Sequence, residues 1–139
     1  MEISKTIISV IELVPNTITS ILKELSTQGP LKEEDESDLR LILEEALVNA
    51  IKHGNDCNTS LKVWTKIKLE NGLLTITVSD QGPGFGYHAI PDPLENPDAL
   101  KESGRGIFLI KQLSDEVRFN ESGSEITIIK KLRKGDKSR

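Results

Sequence analysis

Glu45 and Asn49 stand four residues apart in the stretch DLRLILEEALVNAIKHG. In a helix that spacing puts both side chains on one face. Asparagine is a mediocre helix former and has no local reason to sit there. A carboxylate and an amide oxygen presented together suit a hard divalent cation and a proton acceptor. Two residues that merely face solvent would show the same spacing. A second set begins at Asp80, in the stretch DQGPGF that follows LLTITVS. An ionised carboxylate only accepts hydrogen bonds, so at a strand end it can accept one from an exocyclic amine such as that of adenine. Gly82 and Gly84 adopt backbone angles that other residues avoid and let a ligand lie close to the main chain. Asp, Gly and Pro are equally ordinary residues of a tight turn. The third set is Gly104-Arg105-Gly106 at the head of GRGIFLIKQLS. Backbone N–H groups at a helix start attract phosphate, and Arg105 could add charge; a flexible hinge would use the same glycines. This GxG is not a dinucleotide-binding fingerprint, because it follows a loop and lacks the third glycine. No GxxxxGK[ST] phosphate loop occurs in the chain.

These sets need a scaffold. Residues 2–13 are rich in Ile and Val and predict a strand. Pro15 opens a helix to about Ser26, with Ile18, Leu22 and Leu25 at helical spacing. TQGPLKEEDE predicts a loop or helix entry, and Ser37 or Asp38 starts the next helix. Leu39, Ile42, Leu43, Ala46, Leu47, Ala50 and Ile51 mark its apolar stripe, and Gly54 suits its end. SLKVWTKIKL alternates Leu61, Val63, Thr65, Ile67 and Leu69 on one face, and Asn71-Gly72 is a strong hairpin signal before the next strand. Residues 80–103 hold four of the six prolines and read as a long loop, a length that is usually functional or disordered. A helix at GRGIFLIKQLS and two strands, DEVRFN and SEITIIKKL, complete the set. The expected fold class is α+β: a two-layer sandwich with a mixed, mainly antiparallel sheet and helices packed on one face.

The chain has 139 residues, 36% of them hydrophobic and 29% charged, which fits one domain over residues 1–132 with a basic flexible tail at 133–139. A formal net charge of −4 argues against broad attraction to nucleic acid or anionic membrane. Cys57 is the single cysteine, so an internal disulfide is impossible and a reducing compartment fits. The apolar runs are far short of the ~20 residues a membrane span needs, and the N-terminus lacks the pattern of a signal peptide. A cytoplasmic location is expected.

ExxxN on a helix, DxGxG after a hairpin and GxG at a helix start come in the order of the GHKL ATPase superfamily, which the chain resembles from about residue 35 to 131. EEALVNAIKHGN, DQGPGF and GRGIFLIKQLSDEV look most like the stand-alone anti-sigma-factor serine/threonine kinases. The resemblance implies a Bergerat-type ATP-binding fold, with ATP and Mg²⁺ as cofactors. It implies that Asn49 binds Mg²⁺, that Glu45 is the general base or orients the attacking hydroxyl, and that Asp80 recognises adenine. Gly82 and Gly84 would shape the nucleotide pocket, residues 86–103 would form a lid, and Gly104 and Gly106 would contact phosphates. Arg105 and Lys52 join the implied ATP-binding set. Lys52 and His53 follow Asn49 by three and four positions, and His53 also suits a helix-end cap. Glu44 lies about 100° around the helix from Glu45, which favours Glu45 as the base. The implied partners are a STAS-domain anti-sigma-factor antagonist as phosphoryl acceptor, a sigma factor, and a second copy of the chain in a homodimer, with no direct nucleic-acid or membrane contact. One departure stands out: some family members carry arginine two residues before the first glycine of the last box, where this chain has Glu102.

A module that holds ATP and sequesters a regulatory partner without transferring phosphate is the alternative, and Glu102 keeps it open. A histidine-kinase catalytic domain is disfavoured because His53 and His88 are the two histidines and neither sits on a dimerising hairpin. A gyrase-type machine is disfavoured by length. The run from Lys130 to Arg139 holds six basic residues in ten and reads chiefly as a solvated tail.

Overall fold

The structure, a computed structural model, describes residues 1–82 and 102–133. Strand β1 (Glu2–Ile8) is followed by a 3-10 turn (Ile11–Leu13) and helix α1 (Val14–Ser26). Helix α2 (Glu33–Asn49) continues into one π-helical turn (Ala50–Gly54). Then come β2 (Lys62–Glu70), β3 (Leu73–Ser79), helix α3 (Glu102–Leu113), β4 (Glu116–Phe119) and β5 (Glu125–Lys131).

The five strands form one sheet in the order β1-β2-β3-β5-β4. Every described pairing is antiparallel, so the expected parallel component of a mixed sheet is absent among the described residues. The register carries Ile3, Ile67, Ile76, Ile128 and Val117 across the sheet in one row. Strand side chains alternate between faces, so this row and the Thr65–Val78–Ile126 row beside it point the same way. Both meet the stripes of the three helices: Ile21, Leu22 and Leu25 from α1, Leu39, Leu43 and Leu47 from α2, and Ile107 and Ile110 from α3. The opposite face carries Thr6, Trp64, Lys66, Thr75 and Thr77, with Trp64 exposed. The result is the expected two-layer α+β sandwich.

Turn chemistry sets the register of the central hairpin. Asn71 and Gly72 take φ of 51° and 76°, the two positive values that a type I′ turn requires, and Glu70 then faces Leu73.

Two boundaries differ from the sequence reading. β1 ends at Ile8 and not at residue 13, because Ser9 turns in: its N–H and its Oγ both donate to the Leu61 carbonyl, at 3.1 and 2.8 Å. α2 starts at Glu33, before Ser37 and Asp38. Its first turn holds Glu33, Glu34, Asp35 and Glu36, and negative charge there is favoured by the helix dipole. Tertiary pairing adds to this. Asp35, 1% exposed, accepts the Arg133 N–H at 2.9 Å and also pairs with the Arg133 guanidinium. Asp38 accepts from Lys130 Nζ at 3.2 Å, and the same buried ammonium donates to the Leu113 carbonyl at 2.9 Å. One cluster therefore joins the start of α2, the end of α3 and the end of β5. Arg133, the first residue of the expected tail, is part of it; residues 134–139 lie outside the described residues.

Candidate functional site

The C-terminal half of α2 and the first turns of α3 enclose a cleft of ≈490 Å³ lined by Glu44, Glu45, Val48, Asn49, His53, Arg105, Gly106, Phe108 and Leu109. Its size is that of a small-molecule site. Glu45 and Asn49 sit one turn apart and both face it. Asn49 Oδ1 is the described side-chain oxygen that is buried without a hydrogen-bond partner. Leaving a buried acceptor unsatisfied costs on the order of 1–3 kcal/mol, so such an atom calls for an explanation. A neutral amide oxygen in a cleft flanked by carboxylates is a suitable ligand for a hard cation. Among the described residues no group of three or more His, Cys, Asp and Glu could hold a metal. A cation here would therefore depend on Asn49 together with oxygens of a bound phosphate and water, the usual habit of Mg²⁺.

Glu45 is held close to α3. A Cβ built on Gly106 would meet Glu45 Oε2, the tip of a flexible side chain, so the carboxylate lies against α3 at that glycine. α3 begins at Glu102, two residues before the Gly104-Arg105-Gly106 expected at its head, so all three lie inside its first two turns. Glu44 lines the same cleft as Glu45 despite the angle between them. His53 lines it as well, whereas Lys52 is not among the lining residues. Both residues lie in the π-helical turn Ala50–Gly54; His53 follows Asn49 by four, the spacing of side chains that share a helix face.

Asp80 is not among the cleft-lining residues and lies just beyond the C-terminal end of α2, against Gly54. β3 stops at Ser79, and the Asp80 N–H donates to the Ser124 carbonyl at 2.9 Å. The Gly82 N–H donates to Asp80 Oδ1 at 2.9 Å. Two glycines close the space around the carboxylate. A Cβ on Gly54 would strike Asp80, and one on Gly82 would run into the Gly54 carbonyl. Burial pushes the Asp80 carboxyl above its ordinary 3.8, and the Gly82 hydrogen bond pulls only partly back. A carboxylate that loses hydration without gaining a cation is an acceptor awaiting a donor. Gly84 falls outside the described residues.

Asn55 was not singled out by the sequence reading, since an asparagine after a helix is an ordinary turn residue. It is 1% exposed and bonds to three separate segments. Gly54 was read as a helix end, and its contact with Asp80 could not be foreseen from local sequence.

Comparison with known proteins bears on this geometry. Residues 11–130 match the model of the histidine kinase-like ATPase domain. The chain is 36% identical over 109 residues to a protein of Staphylococcus epidermidis named serine-protein kinase RsbW, covering 73% of this chain and 69% of that protein. It is 33% identical over 109 residues, with the same coverage, to the protein of that name from Staphylococcus aureus strain MSSA476.

Proposed function

Because the chain belongs to the histidine kinase-like ATPase domain family, we propose that its cleft binds ATP and that the protein is a serine/threonine protein kinase of the anti-sigma-factor type. It transfers the γ-phosphoryl group of ATP to a serine or threonine hydroxyl of a STAS-domain anti-sigma-factor antagonist, in a partner-switching pathway whose other arm is a sigma factor. It works in the cytoplasm as a homodimer. The observation that carries the site assignment is the buried, unpartnered Asn49 Oδ1 beside Glu45 in a cleft of ligand size.

The roles follow from chemistry and position. The ionised Asp80 accepts a hydrogen bond from the adenine amine, and Gly82 and Gly84 let the base lie against the main chain. Asn49 would hold Mg²⁺, which neutralises phosphate charge when bound. Arg105, Lys52 and the backbone at Gly104 and Gly106 serve the phosphate end. Glu45 accepts the proton of the attacking hydroxyl. The new bond joins that oxygen to the γ-phosphorus, the bond to the ADP oxygen breaks, and the proton stays on Glu45 until solvent removes it. Phosphoryl transfer asks mainly for positioning and charge neutralisation, so this modest set of groups is sufficient. A second reading, an ATP-holding module that sequesters its partner without transfer, is favoured by Glu102 in place of arginine.

Calorimetric titration with ATP and Mg²⁺ tests the site. Wild type should bind, and Asp80→Asn and Asn49→Ala should lose most affinity while remaining folded. Absence of wild-type binding at millimolar ATP would sink the kinase reading. Radiolabelled phosphate appearing on candidate STAS-domain antagonists then separates the kinase from the sequestering module.

A further inference from the structure

Asn49 ends α2, the π turn that follows ends at Gly54, and the Asp80 carboxylate packs against Gly54, so a nucleotide that uses both Asn49 and Asp80 must reach across that joint. We infer that Asn55 fixes that joint: it is a positioning residue that holds the Asp80 carboxylate in register with the end of α2. The inference rests on the reading that Asp80 recognises adenine.

The side chain of Asn55 is a buried hub. Its Nδ2 donates to Ser9 Oγ at 2.8 Å and to the Lys62 carbonyl at 2.9 Å. Its Oδ1 accepts the Gln81 N–H at 2.8 Å. Ser9 Oγ passes its own hydrogen to the Leu61 carbonyl at 2.8 Å. The Asn55 N–H closes the π turn on the Ala50 carbonyl at 2.8 Å. Both amide hydrogens and one lone pair are thus used, by partners from the end of β1, the start of β2 and the segment after β3. Gln81 adjoins Asp80, and its side-chain oxygen in turn accepts the Lys62 N–H.

The arrangement differs from an ordinary buried asparagine in what it connects. The backbone of Asn55 is continuous with the π turn that follows Asn49, and its side chain holds the residue next to Asp80. Backbone and side chain of one residue therefore join the cation half of the site to the base half. Gly54 and Gly82, packed against each other and against the Asp80 carboxylate, leave little slack in that joint. No smaller side chain could supply two donors and one acceptor in this plane.

Base discrimination reads this role where stability does not. Inosine triphosphate keeps the ribose and phosphates of ATP and replaces the 6-amino donor with an acceptor. A charge-assisted hydrogen bond to the amine predicts that wild type prefers ATP over inosine triphosphate by on the order of 10- to 100-fold in Kd. Dissociation constants for both nucleotides with Mg²⁺, together with melting temperatures, would be measured on the full chain and four variants. Asp80→Asn should bring the Kd ratio near one. Asn55→Ala should do the same, because the acceptor is no longer held. Ser9→Ala cuts the hub on the side away from Asp80, and should lower the melting temperature while keeping the wild-type ratio. Gln81→Pro removes the N–H that Asn55 accepts, together with the bond to Lys62; it should lower the ratio and decides the matter if Asn55→Ala does not fold. A wild-type ratio in Asn55→Ala, or in Gln81→Pro where the former is unfolded, overturns the inference while leaving the adenine reading intact. A wild type without base preference, or an Asp80→Asn variant that keeps it, removes the adenine reading and the inference with it.

Discussion

At the N-terminal end of α2, Asp35 and Asp38 meet Lys130 and Arg133, and the buried Lys130 ammonium is satisfied by a carboxylate and a carbonyl. At the C-terminal end, the Asn49 oxygen is buried without a partner and, just beyond it, the Asp80 carboxyl is pushed up by burial. One helix thus has polar groups at both ends under opposite regimes. Where partners are present, burial of a polar group locks elements together. Where partners are missing, as at Asn49, or are one backbone N–H against burial, as at Asp80, the same burial leaves a deficit that a ligand can fill. The structural polar groups and those proposed to meet a ligand differ here in what surrounds them more than in residue type.

Substitutions can break that contrast. The largest effect is expected at Glu45. Glu45→Gln keeps the shape that lies against Gly106 and removes the proposed proton acceptor, and should lower the single-turnover transfer rate by roughly 10²- to 10⁴-fold with ATP affinity little changed. Transfer at the wild-type rate would exclude Glu45 as the base. Next comes Asp38→Ala at the satisfied end. It leaves the Lys130 ammonium buried with one carbonyl, and should cost about 3 kcal/mol of stability, roughly 10 °C in melting temperature, while ATP binding at low temperature is unchanged. An equal loss of ATP affinity would show that the two ends are not separable. Asp80→Asn should do the reverse, weakening ATP binding by on the order of 10- to 100-fold without lowering the melting temperature.

The smallest effect is the pH dependence of that pair. A carboxyl whose folded pKa is raised contributes stability that is complete below its unfolded value, near 3.8, and is lost as pH rises through the folded value. Asp80 therefore works against folding at neutral pH. Asp80→Asn should be at least as stable as wild type at pH 7, and the advantage should vanish as pH falls toward 4. ATP affinity of wild type should fall over the same interval, because protonation removes the acceptor. Melting curves and titrations from pH 4 to 7 check both.

Much of the scaffold was legible because it follows from periodicity. The α2 stripe, the β2 and β3 alternation and the Asn71-Gly72 turn each carry their signal within a few residues. The start of α2 was not, because KEEDE reads locally as a solvated charge run, and its stabilising partners Lys130 and Arg133 are more than ninety positions away. β1 ends short of residue 13 although six of the eight residues in IISVIELV are Ile, Val or Leu, because the bend depends on Ser9 finding Leu61. At the site, residue types and order pointed to Glu45, Asn49, Asp80 and Arg105, and the structure places Glu45, Asn49 and Arg105 around one cleft. The roles of Gly54 and Asn55 were hidden, since both are ordinary helix-end residues until the strand carrying Asp80 is brought against them.

The strand order has a temporal consequence. β5 is the last of the described strands to leave the ribosome, yet in the described sheet it lies between β3 and β4 and not at an edge. During synthesis β3 must wait with one flank unpaired, and an unpaired flank invites the wrong neighbour. The same late segment carries Lys130 and leads into Arg133, so the acids at the start of α2 also wait for it. Emergence of the nascent chain thus resembles a zip drawn closed from the middle: until β5 arrives, neither the described sheet nor the helix layer above it can be sealed.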